Sequence, residues 1–170
     1  VKFYVPHLNH DRSVHVTEIG LFNLGDISQD GINDFSICYG LNSNCLVIFG
    51  RNHWGPTFNA SHLTGQNGFI IPRAFRDPVL LALGDINNDG FLDIYVCNSG
   101  DLEGDNKQNE LFINLGLTAE IDGKEVPQFK EMAGEYGLDD RGYGTHAAFF
   151  DYDKDGDLDA YIFNNSNIPV

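Results

Sequence analysis

Three segments of this 170-residue chain place oxygen-bearing side chains at the same intervals. Loop 1 runs Asp26-Ile27-Ser28-Gln29-Asp30-Gly31-Ile32-Asn33-Asp34. Loop 2 runs Asp85-Ile86-Asn87-Asn88-Asp89-Gly90-Phe91-Leu92-Asp93. Loop 3 runs Asp151-Tyr152-Asp153-Lys154-Asp155-Gly156-Asp157-Leu158-Asp159. Each reads D-x-[DNS]-x-D-G-x-x-D. Oxygen donors at positions 1, 3, 5 and 9 suit Ca²⁺, a hard cation that takes six to eight oxygens. Gly at position 6 permits the sharp turn that brings alternate residues inward. The main-chain carbonyl of position 7 can add a ligand without its side chain, so Ile32, Phe91 and Asp157 serve equally. The expected metal ligands are Asp26, Ser28, Asp30, Ile32 and Asp34 in loop 1. In loop 2 they are Asp85, Asn87, Asp89, Phe91 and Asp93, and in loop 3 Asp151, Asp153, Asp155, Asp157 and Asp159. Ser28 is neutral, so loop 1 should bind less tightly than loop 3. Asp/Asn/Gly-rich stretches also make plain turns, but three copies in one pattern favour about three Ca²⁺ ions.

The elements around the loops identify the loop type. An EF-hand needs a bidentate Glu at position 12, followed by a helix. Position 12 is Ile37, Val96 or Ile162, and none can ligate. The residues after position 9 are β-branched and aromatic, and those before position 1 are short apolar runs, so each loop joins two strands. The loops start at residues 26, 85 and 151, which are 59 and 66 residues apart. Self-similarity at this period indicates a repeat architecture. Cys45 to Gly50 and Glu110 to Gly116 read as further strands, giving room for four short antiparallel strands per repeat, one propeller blade. Residues 52–68, 99–109 and 116–127 read as polar connections. A strand around Phe129 followed by a turn is expected in 128–138.

Charge narrows the partners. There are 25 acidic and 10 basic side chains, a formal charge of −15. A phosphate backbone or an anionic membrane repels such a surface. The longest apolar run, Val79 to Leu83, is far shorter than the roughly 20 residues of a membrane helix. Residues Val1 to Pro6 show no basic stretch followed by an apolar one, and the absence of an initial Met suggests a processed or excised piece.

The chain resembles the FG-GAP (VCBS-type) repeats that form the blades of integrin-α-like β-propellers. The residues that carry this are Gly25-Asp26 to Asp34 with Val47 to Gly50, Gly84-Asp85 to Asp93, and Phe150-Asp151 to Asp159. Val47 to Ile71 is similar to bacterial integrin-like repeats. Asn109 to Tyr161 is similar to repeats of secreted proteins that also carry an ASPIC/UnbV segment. The resemblance covers roughly residues 16 to 163. It implies an all-β fold with repeats near 16–77, 78–140 and 141–170, the last truncated, and structural metals. Residues 1–7 would hold one orphan strand. Three repeats are fewer than a propeller needs to close. The chain is then a fragment of a longer propeller, the favoured reading, or a partner in a composite one. The function this implies is a non-catalytic, calcium-stabilised module for extracellular binding, adhesion or assembly. Its location would be extracellular, cell-surface or periplasmic. Its partners would be a protein or glycan ligand and the remaining blades or neighbouring subunits. The competing readings are the propeller part of a polysaccharide-acting enzyme and a lectin-like glycan binder. There is no Arg-Gly-Asp.

Smaller signals carry less. Cys38 and Cys97 occupy position 13 of their repeats, where repeat 3 has Phe163, which suits buried strand positions. Cys38 and Cys45 also flank a turn and can form a hairpin disulfide in an oxidising compartment. Asn59-Ala-Ser61 and Asn164-Asn-Ser166 are glycosylation sequons. Gly142 to Ala147 fits a dinucleotide fingerprint only loosely, with no strand before it. The six histidines are scattered. Asp101, Glu103 and Asp105 crowd a loop that reads as solvated surface. Trp54, beside Gly-Pro, suits packing better than ligand stacking.

Overall fold

Fourteen strands and one helical turn make up the described part of the chain, which in this computed structural model is residues 2–4, 19–39, 44–59, 62–71, 80–98 and 108–165. The apolar runs beside each loop form strands, as their β-branched and aromatic content predicts. β1 (Lys2–Tyr4) is not an orphan: it pairs in parallel with β5 (Thr57–Asn59), inside the connection expected to be irregular.

The first antiparallel sheet has the order β2-β3-β4-β6. β2 (Ile19–Gly25) enters loop 1 and β3 (Asp34–Tyr39) leaves it. β4 (Asn44–Ile48) pairs with β3, with Cys38 opposite Cys45, and β6 (Gly68–Ile71) completes the sheet. The second sheet repeats the scheme. β7 (Leu80–Gly84), β8 (Asp93–Cys97), β9 (Glu110–Asn114) and β12 (Phe129–Glu131) lie in that spatial order, with loop 2 between β7 and β8. The third sheet has two strands, β13 (Tyr143–Phe150) and β14 (Asp159–Asn165), joined by loop 3. Among the described residues, two four-stranded sheets followed by one of two strands fit an incomplete propeller.

Two connections hold structure that the sequence reading missed. β10 (Ala119–Ile121) and β11 (Lys124–Val126) form a hairpin within 116–127. Its turn residues, Asp122 and Gly123, both have positive φ (48° and 79°), the Asp-Gly geometry that matches strand twist. After the expected strand at Phe129, α1 (Ala133–Tyr136) makes one helical turn and stops at Gly137, φ 67°.

Period-two alternation sends one side of each sheet toward its neighbour. Leu24, Val47 and Ile71 of the first sheet, with Ile27 of loop 1, pack on Ile94 and Val96 of the second. Phe69 and Phe129 meet across this interface at 5.2 Å. Tyr95, Leu111 and Ile113 then pack on Ala147, with Phe149 and Ile162 beside them. Each such large side chain contributes about 1.5–3 kcal/mol when buried. The remaining face of the first sheet is covered by its own connection, where Phe58 and Trp54 lie on Ile37, Leu46 and Ile48. Trp54 contacts Phe35 and Phe58 at 5.7 and 5.9 Å, with the Arg51 guanidinium over its ring, so its role is packing. The remaining face of the third sheet is open: Phe150, Tyr161 and Phe163 are 45–55% exposed.

Cys38 and Cys45 are disulfide-bonded, and both are buried. Cys97 is buried and takes no part in that disulfide. The residues of the dinucleotide-like stretch lie mostly within β13 and open no helix. His7, His10, His15, the Asp101/Glu103/Asp105 cluster and the serines of both sequons lie outside the described residues.

Candidate metal centre

The three loops share one backbone and one hydrogen-bond plan. Position 4 is left-handed in each: Gln29, Asn88 and Lys154 have φ of 59°, 57° and 65°. Position 6 follows with φ of 83°, 90° and 97° at Gly31, Gly90 and Gly156. A Cβ disfavours that region, which explains the glycine in all three copies.

Position 1 caps the turn. Asp26 accepts from the N–H groups of Asp30 (3.0 Å) and Gly31 (2.9 Å), and Asp85 does the same with Asp89 and Gly90. Asp151 accepts from Gly156 at 3.2 Å. Position 5 closes an Asx turn on position 7: Asp30 to Ile32, Asp89 to Phe91 and Asp155 to Asp157, at 2.9–3.0 Å.

Position 9 reaches back across each loop. Asp34 Oδ2 accepts from the Ser28 N–H at 2.8 Å, and Asp34 Oδ1 from the Gly50 N–H at 2.6 Å and the Ser28 hydroxyl at 3.3 Å. Asp93 accepts from the N–H groups of Ile86 and Asn114, both at 2.8 Å. The second donor in each case comes from the end of the third strand of the sheet. Gly50 makes this possible, since a Cβ there would run into the Asn33 carbonyl. Asp34 and Asp93 are 1% and 0% exposed. Burial pushes both carboxyls above the usual aspartate range, and these backbone hydrogen bonds pull them part of the way back. Among the described residues Asp159 keeps the bond from the Tyr152 N–H alone, at 2.8 Å, and it is exposed.

The donor set can hold a cation most directly in loop 3. Asp151, Asp153 and Asp159 each bring a carboxylate oxygen within 4.8 Å of the others, all exposed. Three hard, anionic oxygens in one cluster fit Ca²⁺ chemistry. At position 3 of the other loops, Ser28 donates to Asp34 and the Asn87 amide donates to Asp89 at 2.8 Å. Asp155 lies in its Asx turn. The side-chain carboxylate of Asp157 faces Asn88 of loop 2, at 3.1 Å.

Sequence reasoning missed Asn114. It is fully buried, its amide donates to the Ile27 carbonyl of loop 1 (3.0 Å) and the Leu92 carbonyl of loop 2 (3.3 Å), and its main-chain N–H holds Asp93. An Asn directly after the apolar run Leu111-Phe112-Ile113 was the available signal, because Asn is depleted in strands.

A cleft of about 390 Å³ lies between loop 2, α1 and loop 3, lined by Asn87, Asn88, Tyr136, Phe149, Asp157 and Asp159 among others. No helix among the described residues is long and apolar enough to cross a membrane. No curated protein and no solved structure matches the chain. Residues 85–162, from the first aspartate of loop 2 into β14, match the model of the FG-GAP-like repeat family.

Proposed function

We propose that this chain is a non-catalytic β-propeller module that Ca²⁺ ions stabilise at three loops, and that serves binding, adhesion or assembly outside the cytoplasm. The observation that carries the metal assignment is the convergence of Asp151, Asp153 and Asp159 in loop 3. The shared backbone of loops 1 and 2 extends the assignment to them. Three Ca²⁺ would bring the formal charge of −15 to −9 and stabilise the folded state by mass action. Loops of this kind in extracellular modules bind at about 10⁻⁴–10⁻³ M, which suits a Ca²⁺-rich compartment. The Cys38–Cys45 disulfide supports an oxidising one.

The partner for assembly is a further blade. Tyr161 and Phe163 on the open face stand at the repeat positions where Tyr95 and Cys97 are buried against the third sheet. A fourth blade, from a longer chain or a neighbouring subunit, would cover them. A second reading, a lectin-like glycan site, draws on the cleft beside loop 3. Amides and carboxylates there can exchange hydrogen bonds with sugar hydroxyls, and the rings of Tyr136 and Phe149 offer an apolar wall.

Native mass spectrometry in millimolar Ca²⁺ and again after EDTA tests the main reading. The expected result is about three Ca²⁺ per chain, lost with EDTA together with several degrees of thermal midpoint. A chain that takes up no Ca²⁺ refutes the metal assignment.

A further inference from the structure

The three loops are not independent. Asn114 joins loop 1 to loop 2: its Nδ2 donates to Ile27 at position 2 of loop 1 and to Leu92 at position 8 of loop 2. Its main-chain N–H holds Asp93 at position 9 of loop 2. Asn88 joins loop 2 to loop 3. From position 4 of loop 2 its Nδ2 donates to the Gly156 carbonyl and to Asp157 Oδ1, both at 3.1 Å. These are positions 6 and 7 of loop 3, the turn residue and the residue whose carbonyl the spacing marks as a ligand. Two neutral amides thus chain three anionic loops in series, and neither link adds a charge.

We infer that Asn88 and Asn114 are positioning residues that couple the loops, so that ordering one loop by a cation favours loading of the next. The inference rests on the Ca²⁺ reading above. The physical basis is that a metal site's affinity depends on groups that hold its ligands in place, as well as on the ligands themselves. The Asn88 amide engages the Asp157 side-chain carboxylate and not its main-chain carbonyl, the atom that the spacing marks as a ligand. It also fixes the Gly156 peptide on which the turn of loop 3 pivots. Loading loop 2 would order position 4, hence Asn88, hence loop 3. Linkage makes the effect reciprocal.

Loop 1 supplies a matched control. Gln29 occupies the same position 4 with nearly the same φ, 59° against 57°. Its Nε2 is buried and has no hydrogen-bond partner among the described residues. Replacing position 4 by glycine keeps the left-handed backbone in both loops, but only Asn88→Gly removes a bond between loops.

The experiment is hydrogen exchange of peptides covering residues 151–159, in EDTA and across a Ca²⁺ titration, for the wild-type chain, Asn88→Gly and Gln29→Gly. In EDTA, Asn88→Gly should speed exchange in loop 3, while Gln29→Gly leaves it at the wild-type rate. Across the titration, Asn88→Gly should raise the Ca²⁺ concentration that protects loop 3 by about tenfold, the usual scale for losing such a supporting group. The loop 3 midpoint of Gln29→Gly should stay at the wild-type value. Superimposable loop 3 curves for wild type and Asn88→Gly, with Ca²⁺ bound in both, overturn the coupling and leave the metal assignment standing. A wild-type chain that gains no protection in any loop overturns the metal assignment and the coupled loading together. The EDTA comparison still reports whether Asn88 holds loop 3.

Discussion

Position 9 carries the same residue in all three loops, yet removing it should have very different effects. Asp93→Ala strips the acceptor from two N–H groups, Ile86 and Asn114, in a site where Asp93 is 0% exposed. A buried donor left without a partner costs about 1–3 kcal/mol, so the loss is about 2–6 kcal/mol. That is a large share of the 5–15 kcal/mol typical of a folded domain. Asp159→Ala removes the acceptor from one N–H, that of Tyr152, where both residues are exposed. Water can replace it, and the change should stay within about 0.5 kcal/mol. The assay is urea denaturation in EDTA at neutral pH, followed by circular dichroism. With an m-value of about 2 kcal/mol/M, Asp93→Ala should lower the midpoint by roughly 1–3 M and Asp159→Ala by less than about 0.3 M. Repeating the series in millimolar Ca²⁺ should widen the deficit of Asp159→Ala, because that variant also lacks a proposed metal ligand. Equal midpoints for Asp93→Ala and Asp159→Ala in EDTA would refute the claim that position 9 acts as a buried staple in the complete blades.

Other predictions follow from the same geometry. Tyr95 and Tyr161 occupy one repeat position, but Tyr95 is 0% exposed with its hydroxyl donating to the Leu138 carbonyl, and Tyr161 is 55% exposed. Tyr95→Ala should cost about 3–5 kcal/mol and Tyr161→Ala within about 0.5; similar melting shifts for the two would contradict the assigned sheet faces. Alkylation of the unreduced, denatured chain should label Cys97 alone, with two further labels only after reduction; three labels without reductant would exclude the Cys38–Cys45 bond. Because burial raises the carboxyls of Asp34 and Asp93, the folded chain binds those protons more readily than the unfolded one. Their contribution to stability is therefore present below the ordinary aspartate value and lost as pH rises through their raised values. In EDTA, the wild-type thermal midpoint should gain relative to Asp34→Asn on mild acidification, and the opposite drift would show the sign to be wrong.

How much of this was legible in the sequence depended on the range of the interactions. The loops were legible because their backbone is local. A left-handed position 4, a left-handed Gly at position 6 and an Asx turn at position 5 are set within nine residues, so spacing alone exposes them. The strands beside them were legible for the same reason, through β-branched runs such as Ile94-Tyr95-Val96. The hairpin at Asp122-Gly123 was overlooked despite a local signal, since three-residue strands with lysine and glutamate carry little alternation. The pairing of β1 with β5 joins residues about 55 positions apart, and no local pattern marks it. The Cys38–Cys45 bond stood between two readings until the β3–β4 register placed the residues opposite each other.

The candidate site shows the same division more sharply. Sequence spacing treats Asp34, Asp93 and Asp159 as equivalent, since each is the ninth residue of one motif. The structure separates them because the second hydrogen bond to position 9 comes from outside the motif, from the end of the third strand at Gly50 or Asn114. Where that strand is in place, the carboxylate is buried and ties the loop to the sheet. In the third sheet, two strands are described, and Asp159 remains exposed beside Asp151 and Asp153. The third strand of a sheet therefore decides whether position 9 is held by the sheet, as at Asp34 and Asp93, or stands exposed in a carboxylate cluster, as at Asp159. If a further strand packed beside β14 and offered an N–H to Asp159, loop 3 would take on the geometry of loops 1 and 2. Completing the third sheet would then tune loop 3: a strand paired with β14 would shift the proposed Ca²⁺ affinity of loop 3, and the shift would appear as Ca²⁺-dependent pairing at that edge.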